Sequence, residues 1–200
     1  MELRLNAFLP RTEVEGPGVR AALWVQGCPI RCPGCAVPWT WPEEGGFVAS
    51  VDDITERILS SSGIEGVTFL GGEPFVQAQA LAIVGRATRA QGLSVMTFSG
   101  YTLEALRRFR APGIQELLEV TDILVDGPFI EKEKNFSRPW AGSANQRFHF
   151  LSPRYRHLEG KLSDFANGIE VRLLANGAVF INGMMTKEEL DALRLPLGGP

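Results

Sequence analysis

The stretch "GCPIRCPGCAVPW", residues 27–39, contains every cysteine of the chain, at Cys28, Cys32 and Cys35. The spacing is C-x3-C-x2-C, and the intervening prolines and glycine predict a tight loop rather than a segment of the core. This loop follows "VRAALWVQG" (19–27), whose apolar, β-branched and aromatic residues predict a strand. The chain therefore presents three thiols together where a strand ends.

Three thiols leave a metal centre one ligand short. A structural zinc site needs four Cys or His ligands, and the only histidines, His149 and His157, lie far downstream. A Cys3His zinc site and a catalytic zinc with a bound water both stay open as alternatives. An iron–sulfur cluster fits better, because thiolates are its natural ligands. In a [4Fe-4S] cube held by three cysteines, one iron is free to bind a small molecule.

Composition places this loop in a globular protein. The chain has 200 residues, of which 44% are hydrophobic, so one domain with a sizeable core is expected. The net charge of -3 predicts no attraction to nucleic acid or to an anionic membrane. No apolar run is long enough for a membrane helix, and the N-terminus lacks the pattern of a signal peptide. An odd cysteine number argues against a disulfide framework and favours a reducing, cytoplasmic setting.

Strands and helices alternate along most of the chain, which predicts an α/β fold with parallel strands. Four strands and four helices are expected between residues 19 and 129, and the helix "SVDDITERILSS" has Ser50 as its N-cap and Val51, Ile54, Ile58 and Leu59 on one face. The pattern then changes. "IEVRLLANGAVFING" predicts a β-hairpin around Asn176-Gly177, and "TKEELDAL" a short helix with a capping box. We expect a single domain over 1–200, with a core of about 16–150 and a C-terminal extension of about 151–200.

Ligands of parallel α/β sheets bind at the carboxyl ends of the strands. The segments predicted there are the cysteine loop, "GGEP" (71–74), "TFSGY" (97–101) and "LVDGPF" (124–129). Each of the last three also has an ordinary interpretation: a glycine turn, a Ser-Gly strand exit, and a helix cap at Asp126.

Three cysteines at this spacing after a first strand, with "GGEP" after a second, resemble the radical S-adenosylmethionine (SAM) superfamily. The resemblance implies a partial (βα) barrel, a [4Fe-4S] cluster on the three cysteines, and SAM on the open iron. It further implies that reductive cleavage of SAM yields a 5′-deoxyadenosyl radical that abstracts hydrogen. By the same resemblance, SAM would contact the "GGEP" residues Gly71, Gly72, Glu73 and Pro74. It would also contact Thr97, Ser99 and Asp126. Many relatives have an aromatic residue over the adenine where this chain has Gly34, so adenine stacking would come from elsewhere. Trp39 or Trp41 would take that role, or either would simply pack in the core.

Longer segments resemble the glycyl-radical-enzyme activases, and among them the activating protein of anaerobic (class III) ribonucleotide reductase. They are "EGPGVRAALWVQGCPIRCPGC", "FSGYTLEAL", "DILVDGPFIEKEKN" and "WAGSANQRF", between about Gly16 and Arg147. The subgroup also has Pro-Gly before its last cysteine, whereas Ala36, Val37 and Pro38 depart from its pattern.

This resemblance implies hydrogen abstraction from a glycine of a partner enzyme, with reduced flavodoxin or ferredoxin as electron donor. A radical SAM enzyme for a small molecule or peptide, of the deazapurine-forming or peptide-modifying type, is the alternative. A non-enzymatic metal-binding or electron-transfer module is the third interpretation.

Overall fold

A computed structural model describes residues 1–186, 189, 191 and 192 of the chain. Its nine strands are β1 (Glu2–Thr12), β2 (Arg20–Val25), β3 (Phe47–Ser50), β4 (Gly66–Gly71), β5 (Ser94–Phe98), β6 (Ile123–Asp126), β7 (Arg147–Phe150), β8 (Ile169–Leu173) and β9 (Val179–Gly183). The α-helices that lie wholly within the described residues are α1 (Val51–Leu59), α2 (Ala78–Ala90), α3 (Leu103–Arg108) and α4 (Ile114–Val120).

Seven strands form one sheet in the order β3-β1-β2-β4-β5-β6-β7. The four predicted strands, β2, β4, β5 and β6, are adjacent and parallel at its centre, with α1, α2 and the α3–α4 pair in the connections. The α/β prediction is confirmed at this level. The antiparallel strands β1, β3 and β7 were not predicted. Two register irregularities break the alternation of β1, and β3 and β7 have only 4 residues each, so none shows a clear strand pattern.

The helix predictions hold, with one correction at a single residue. In α1 the Ser50 hydroxyl accepts the Asp53 N–H at 3.0 Å, and Val51, Ile54 and Ile58 are buried. Leu59 is exposed, so its assignment to the buried face was wrong. It is the last residue of the helix, and its side chain does not lie on the face that packs against the core.

The two faces of the sheet pack against different parts of the chain. The helices cover one face with a large apolar core that includes Leu23, Phe69 and Val95. The other face has a smaller core, in which Met96 and Val125 contact residues beyond the last parallel strand. Those residues come from the loop before β7 and from the extension: Trp140, Tyr155 and Leu158. Within the described residues, no helix is both long and apolar enough to span a membrane.

Arg20 lies on this second face of the sheet and is the centre of a hydrogen-bond network. Its fully buried guanidinium donates to Thr68 Oγ1 (2.7 Å), Ser94 Oγ (2.9 Å) and the Val67 carbonyl (2.7 Å). Tyr155, from the extension, contacts the same guanidinium and donates to Glu65. A buried charge is costly unless it is hydrogen-bonded, and this network supplies hydrogen bonds to the guanidinium, with the Glu65 carboxylate reached through Tyr155.

The predicted C-terminal hairpin is present as β8 and β9, with Gly177 in the turn at φ +83°. It is anchored by polar contacts, since Glu15 accepts from Asn182 Nδ2 (3.0 Å) and the Gly183 N–H (2.9 Å). Of the predicted C-terminal helix, the capping box is confirmed: Thr186 and Glu189 exchange two side-chain-to-backbone hydrogen bonds. Most of the remaining helix prediction lies outside the described residues.

Candidate functional site

The four predicted segments meet at the carboxyl edge of the parallel strands. The Gly72 N–H donates to the Val25 carbonyl (2.8 Å), and the Glu73 N–H donates to the Gly27 carbonyl (2.9 Å). These bonds attach "GGEP" to the start of the cysteine loop. Further along the edge, the Ser99 N–H donates to the Val125 carbonyl (2.9 Å). The strand order therefore produces the proximity that the sequence predicted.

The cysteine loop is held at both ends by backbone hydrogen bonds. The N–H groups of Gly27 and Cys28 donate to the Thr40 and Trp41 carbonyls at 2.8 and 3.0 Å. Sequence reasoning missed Gln26, whose buried amide donates to three carbonyls of the segment that returns after the loop, those of Trp39, Pro42 and Glu44. A polar residue at the end of an apolar strand was the available signal.

Each thiol of the loop has a backbone N–H beside it. The Val37 N–H lies 3.5 Å from Cys35 Sγ, and the N–H groups of Ile30 and Arg31 near Cys28 and of Phe129 near Cys32 act to lower the pKa of those thiols. Burial raises the pKa of the Cys28 and Cys32 thiols, and these N–H groups offset part of that rise. Hydrogen bonds to the sulfurs are a feature by which proteins tune iron–sulfur clusters. The donor set therefore fits such a cluster.

A zinc ion and an iron–sulfur cluster require different spacings of the thiols. A tetrahedral zinc ion with Zn–S bonds of about 2.3 Å would hold its thiolates about 4 Å apart. In the part of the chain that the structure describes, no three His, Cys, Asp or Glu side chains converge enough to hold one metal ion. A four-iron cube takes each thiolate on a different iron, so it accommodates a wider set.

Gly34 is required by the shape of the loop. It has φ +75°, and a Cβ at this position would lie 2.9 Å from Glu131 Cδ and 3.1 Å from Phe129 Cε1. An aromatic side chain has no room there, because the loop after β6 packs directly against it. The absence of an adenine-covering residue at this position thus has a steric cause.

Two glycines allow "GGEP" to approach the cysteine loop closely. A Cβ on Gly72 would lie 2.4 Å from the Gly27 carbonyl oxygen, and one on Gly71 would lie 2.7 Å from Trp24 Cα. Gly71 also has φ +100°, which L side chains rarely adopt. Pro74 then begins a short 3₁₀ turn that leads into α2.

The Glu73 carboxylate is buried and forms its hydrogen bonds within the protein. The buried carboxylate accepts hydrogen bonds from the N–H groups of Phe75 (3.0 Å) and Gly100 (2.9 Å) and from the Ser99 hydroxyl (3.0 Å). Burial raises the pKa of Glu73 to about 7, because these hydrogen bonds offset only part of the desolvation. Glu73 and Ser99 therefore join the exits of β4 and β5.

Thr97 lies apart from this edge. Its buried hydroxyl contacts Thr121 Oγ1 at 2.9 Å, beside the end of α4. Neighbouring Val95 packs in the helix-side core, and side chains two apart in a strand share one face. The structure therefore brings Glu73 and Ser99 together and does not bring Thr97 to them.

In the structure Asp126 links β6 to the first turn of α3, whose N-cap residue is Thr102. Its carboxylate accepts the Leu103 N–H at the start of α3 (2.6 Å) and two bonds from Arg147 at 2.6 and 3.0 Å. Burial raises the pKa of Asp126, but the bonds from Arg147 and Leu103 outweigh it, so its pKa lies below the ordinary value. This geometry favours the helix-capping interpretation over a ribose contact.

The "GSANQR" segment (142–147) hydrogen-bonds to the loop that follows β6, next to the site. The Ser143 hydroxyl accepts the Ile130 N–H (3.2 Å), and Asn145 Nδ2 donates to the Pro128 carbonyl (2.8 Å). Through these bonds it fixes the loop after β6, which contacts Cys32 and Gly34. Sequence reasoning used this segment as a signature and assigned it no structural role.

The two candidate tryptophans differ in their positions. Trp39 is 59% exposed, whereas Trp41 lines a cavity of about 300 Å³ together with Cys28, Arg31 and Glu43. The Trp41 Nε1–H is buried without an acceptor among the described residues. Trp41 is therefore the tryptophan that adjoins the cysteine loop with an unused donor.

Comparisons with known proteins agree with this site. The family model described as "4Fe-4S single cluster domain" matches residues 14–149. The anaerobic ribonucleoside-triphosphate reductase-activating protein of Salmonella typhimurium is 31% identical, over 74% of this chain and 99% of its own length. Its counterpart in Enterobacteria phage T4 is 31% identical, over 72% of this chain and 92% of its own length.

A more distant relative is the pyruvate formate-lyase 1-activating enzyme of Escherichia coli, at 34% identity over 61% of this chain and 50% of that enzyme. Among solved structures, QueE from Escherichia coli aligns at 21% identity with a TM-score of 0.44, over 51% of this chain and 54% of QueE, which is too distant to support an inference. The expected family is confirmed by the first two comparisons. The chain belongs to the 4Fe-4S single cluster domain family and, among radical SAM enzymes, to the group that activates glycyl radical enzymes.

Proposed function

We propose that this chain activates a glycyl radical enzyme, with an anaerobic ribonucleotide reductase as its partner. Its cofactors are a [4Fe-4S] cluster and SAM, which together supply a 5′-deoxyadenosyl radical able to remove hydrogen from a glycine. A glycyl Cα–H is a suitable target, because the two flanking amide groups stabilise the resulting radical. The observation that carries the proposal is that the loop with the three thiols is joined directly to "GGEP" by the hydrogen bond from the Glu73 N–H to the Gly27 carbonyl.

In this proposal the residues divide into ligands and supports. Cys28, Cys32 and Cys35 hold the cluster. The backbone of Gly71 and Gly72, followed by Pro74, lies against SAM, where no side chain obstructs the approach. Glu73 holds its carboxylate against the next loop, and through it keeps Ser99 and Gly100 in place.

The wider setting follows from the same assignment. We propose that the parallel strands β2, β4, β5 and β6 form a partial (βα) barrel with the site at its carboxyl end. The cluster requires a reducing compartment and an external electron, so we propose a cytoplasmic location and reduced flavodoxin or ferredoxin as donor.

The test is anaerobic reconstitution with iron and sulfide, followed by dithionite and SAM. We expect a brown protein that releases 5′-deoxyadenosine and produces a glycyl electron paramagnetic resonance (EPR) doublet on the reductase. Cys32→Ala should lose the chromophore and the cleavage, whereas Ala36→Ser, an exposed control in the same loop, should keep both. Retention of both by Cys32→Ala contradicts the cluster assignment. SAM cleavage without a glycyl doublet favours a small-molecule or peptide substrate.

A further inference from the structure

The C-terminal hairpin, β8 and β9, has its polar residues turned toward the protein and its aliphatic residues turned outward. On the inner side, Glu170 accepts from Thr12 Oγ1 (2.7 Å) and the Glu13 N–H (2.9 Å). The outer side is formed by five aliphatic residues of the two strands: Ile169, Val171, Leu173, Val179 and Ile181. Leu173 is 74% exposed, and three of the others are also classed as exposed. We call these five residues the outer face.

This distribution is the reverse of what a surface hairpin needs. A two-stranded hairpin is marginal in water, and an exposed aliphatic strand face favours aggregation. The hairpin is held in place by its polar side, through Glu170, Asn182 and Arg172. Folding of the chain therefore does not account for the aliphatic residues on the other side, and exposed apolar patches commonly mark interaction sites.

The hairpin lies beside the strand that carries the cysteine loop. Phe180, on the inner side, meets Trp24 edge-on with ring centroids 5.8 Å apart. Trp24 is near the carboxyl end of β2, and its backbone lies against Gly71 of "GGEP". A protein seated on the hairpin would thus sit next to the proposed radical site.

The size of the outer face suits a transient partner. Five paired positions span about 17 Å, and two strands span about 10 Å, so the face covers on the order of 200 Å² in projection. A stable interface buries about 800 Å² per partner. The face is too small to hold a permanent dimer alone, and a protein that is activated and released requires only a weak contact.

We propose that the outer face docks the protein substrate through an apolar patch on that protein. This inference rests on the proposed function. The family model ends at residue 149, and the Salmonella typhimurium relative is matched over 99% of its length by 74% of this chain. The hairpin therefore adds partner contact to a site that the shared domain already contains.

The test uses the reconstituted enzyme and the purified anaerobic ribonucleotide reductase encoded in the same genome. For Leu173→Glu and Val171→Glu we expect the apparent KM for the reductase, from initial rates of glycyl radical formation, to rise about tenfold, because a buried aliphatic contact is lost. Release of 5′-deoxyadenosine without the reductase should stay at the wild-type rate. Leu173→Met, which keeps an apolar side chain, should have the wild-type KM. Ile83→Glu, on a 39% exposed residue of α2, should also leave the KM unchanged.

The outcomes separate the two proposals. If the wild type forms no glycyl radical on the reductase, the choice of partner fails first. If it does, and Leu173→Glu has an unchanged KM, the docking proposal is overturned. That holds whether the face is covered by a second copy, seen as a dimer in light scattering that Leu173→Glu dissociates, or by the chain's own residues beyond Thr186.

Discussion

At the scale of single residues, Glu73 shows how a motif residue can act by positioning others. Its carboxylate holds Ser99 and Gly100, and Gly72 next to it lies against the cysteine loop. A buried carboxylate with three donors is costly to ionise but well placed to fix two loops. Sequence reasoning assigned Glu73, Ser99 and Thr97 to direct contact with SAM, whereas the structure accounts for their polar atoms within the protein.

The titration of Glu73 gives a test of that burial. Its pKa rises from 4.5 to about 7 on folding, so between these pH values the folded state holds more protons than the unfolded state. The contribution of Glu73 to the free energy of unfolding should therefore decline as pH rises from about 4.5 to about 7. We expect Glu73→Gln to flatten this decline in urea unfolding, and Thr97→Val, a buried uncharged control, to keep it. An equal slope in all three proteins would contradict the assignment.

At the scale of elements, Asp126 couples the end of β6 to the start of α3. Its carboxylate caps the helix at Leu103 and binds Arg147, which comes from β7. Three elements of the fold therefore meet at one carboxylate. A cap position and a ligand position share the same residue types, so sequence alone did not choose between them.

Replacement of Asp126 should affect stability more than SAM affinity. We expect Asp126→Asn to lower the free energy of unfolding by about 1–3 kcal/mol, because the buried group that accepts from Leu103 and Arg147 loses its charge. Because the pKa of Asp126 is lowered, its contribution is present above the unfolded value of 3.8 and is lost as pH falls further. Glu104→Gln, which removes the exposed partner of the same arginine, should change little. A large loss of SAM affinity in a stable Asp126→Asn protein would instead support a ligand role.

At the scale of the whole molecule, we propose that the core and the extension form one domain. Tyr155 and Leu158 complete the second core of the sheet, and Tyr155 also belongs to the Arg20 network. A chain cut after Phe150 would expose Met96 and Val125 and remove a partner of the buried guanidinium. The extension is thus expected to be part of the folding unit.

Truncation tests this proposal directly. We expect a variant ending at Phe150 to lose cooperative urea unfolding, because its second core is uncovered. A variant ending at Thr186, which keeps the extension through the hairpin, should unfold like the full chain. Cooperative unfolding of the shorter variant at the wild-type midpoint would show that the extension is a separate unit.

The sequence by itself determined the central architecture and the cluster loop. Four parallel strands with their helices were predictable, because long apolar runs and caps such as Ser50 act locally. The assignment of the three cysteines to the cluster stays a prediction, and it could be made from the sequence because thiol chemistry and spacing are properties of the chain itself. The hairpin was predictable from Asn176-Gly177, since a tight turn needs particular residues at adjacent positions.

Only the tertiary structure decided which polar residues are used inside the protein. Thr97, Ser99 and Asp126 each lie near the end of a strand, but their partners are brought by β-pairing and helix packing from 23 to 26 residues away. The edge strands β1 and β7 also depend on pairing with distant segments. The orientation of the hairpin's aliphatic face was likewise decided by tertiary contacts. Alternation predicts two faces, but only the contacts of Glu170 and Asn182 with the strand β1 region show which face is free.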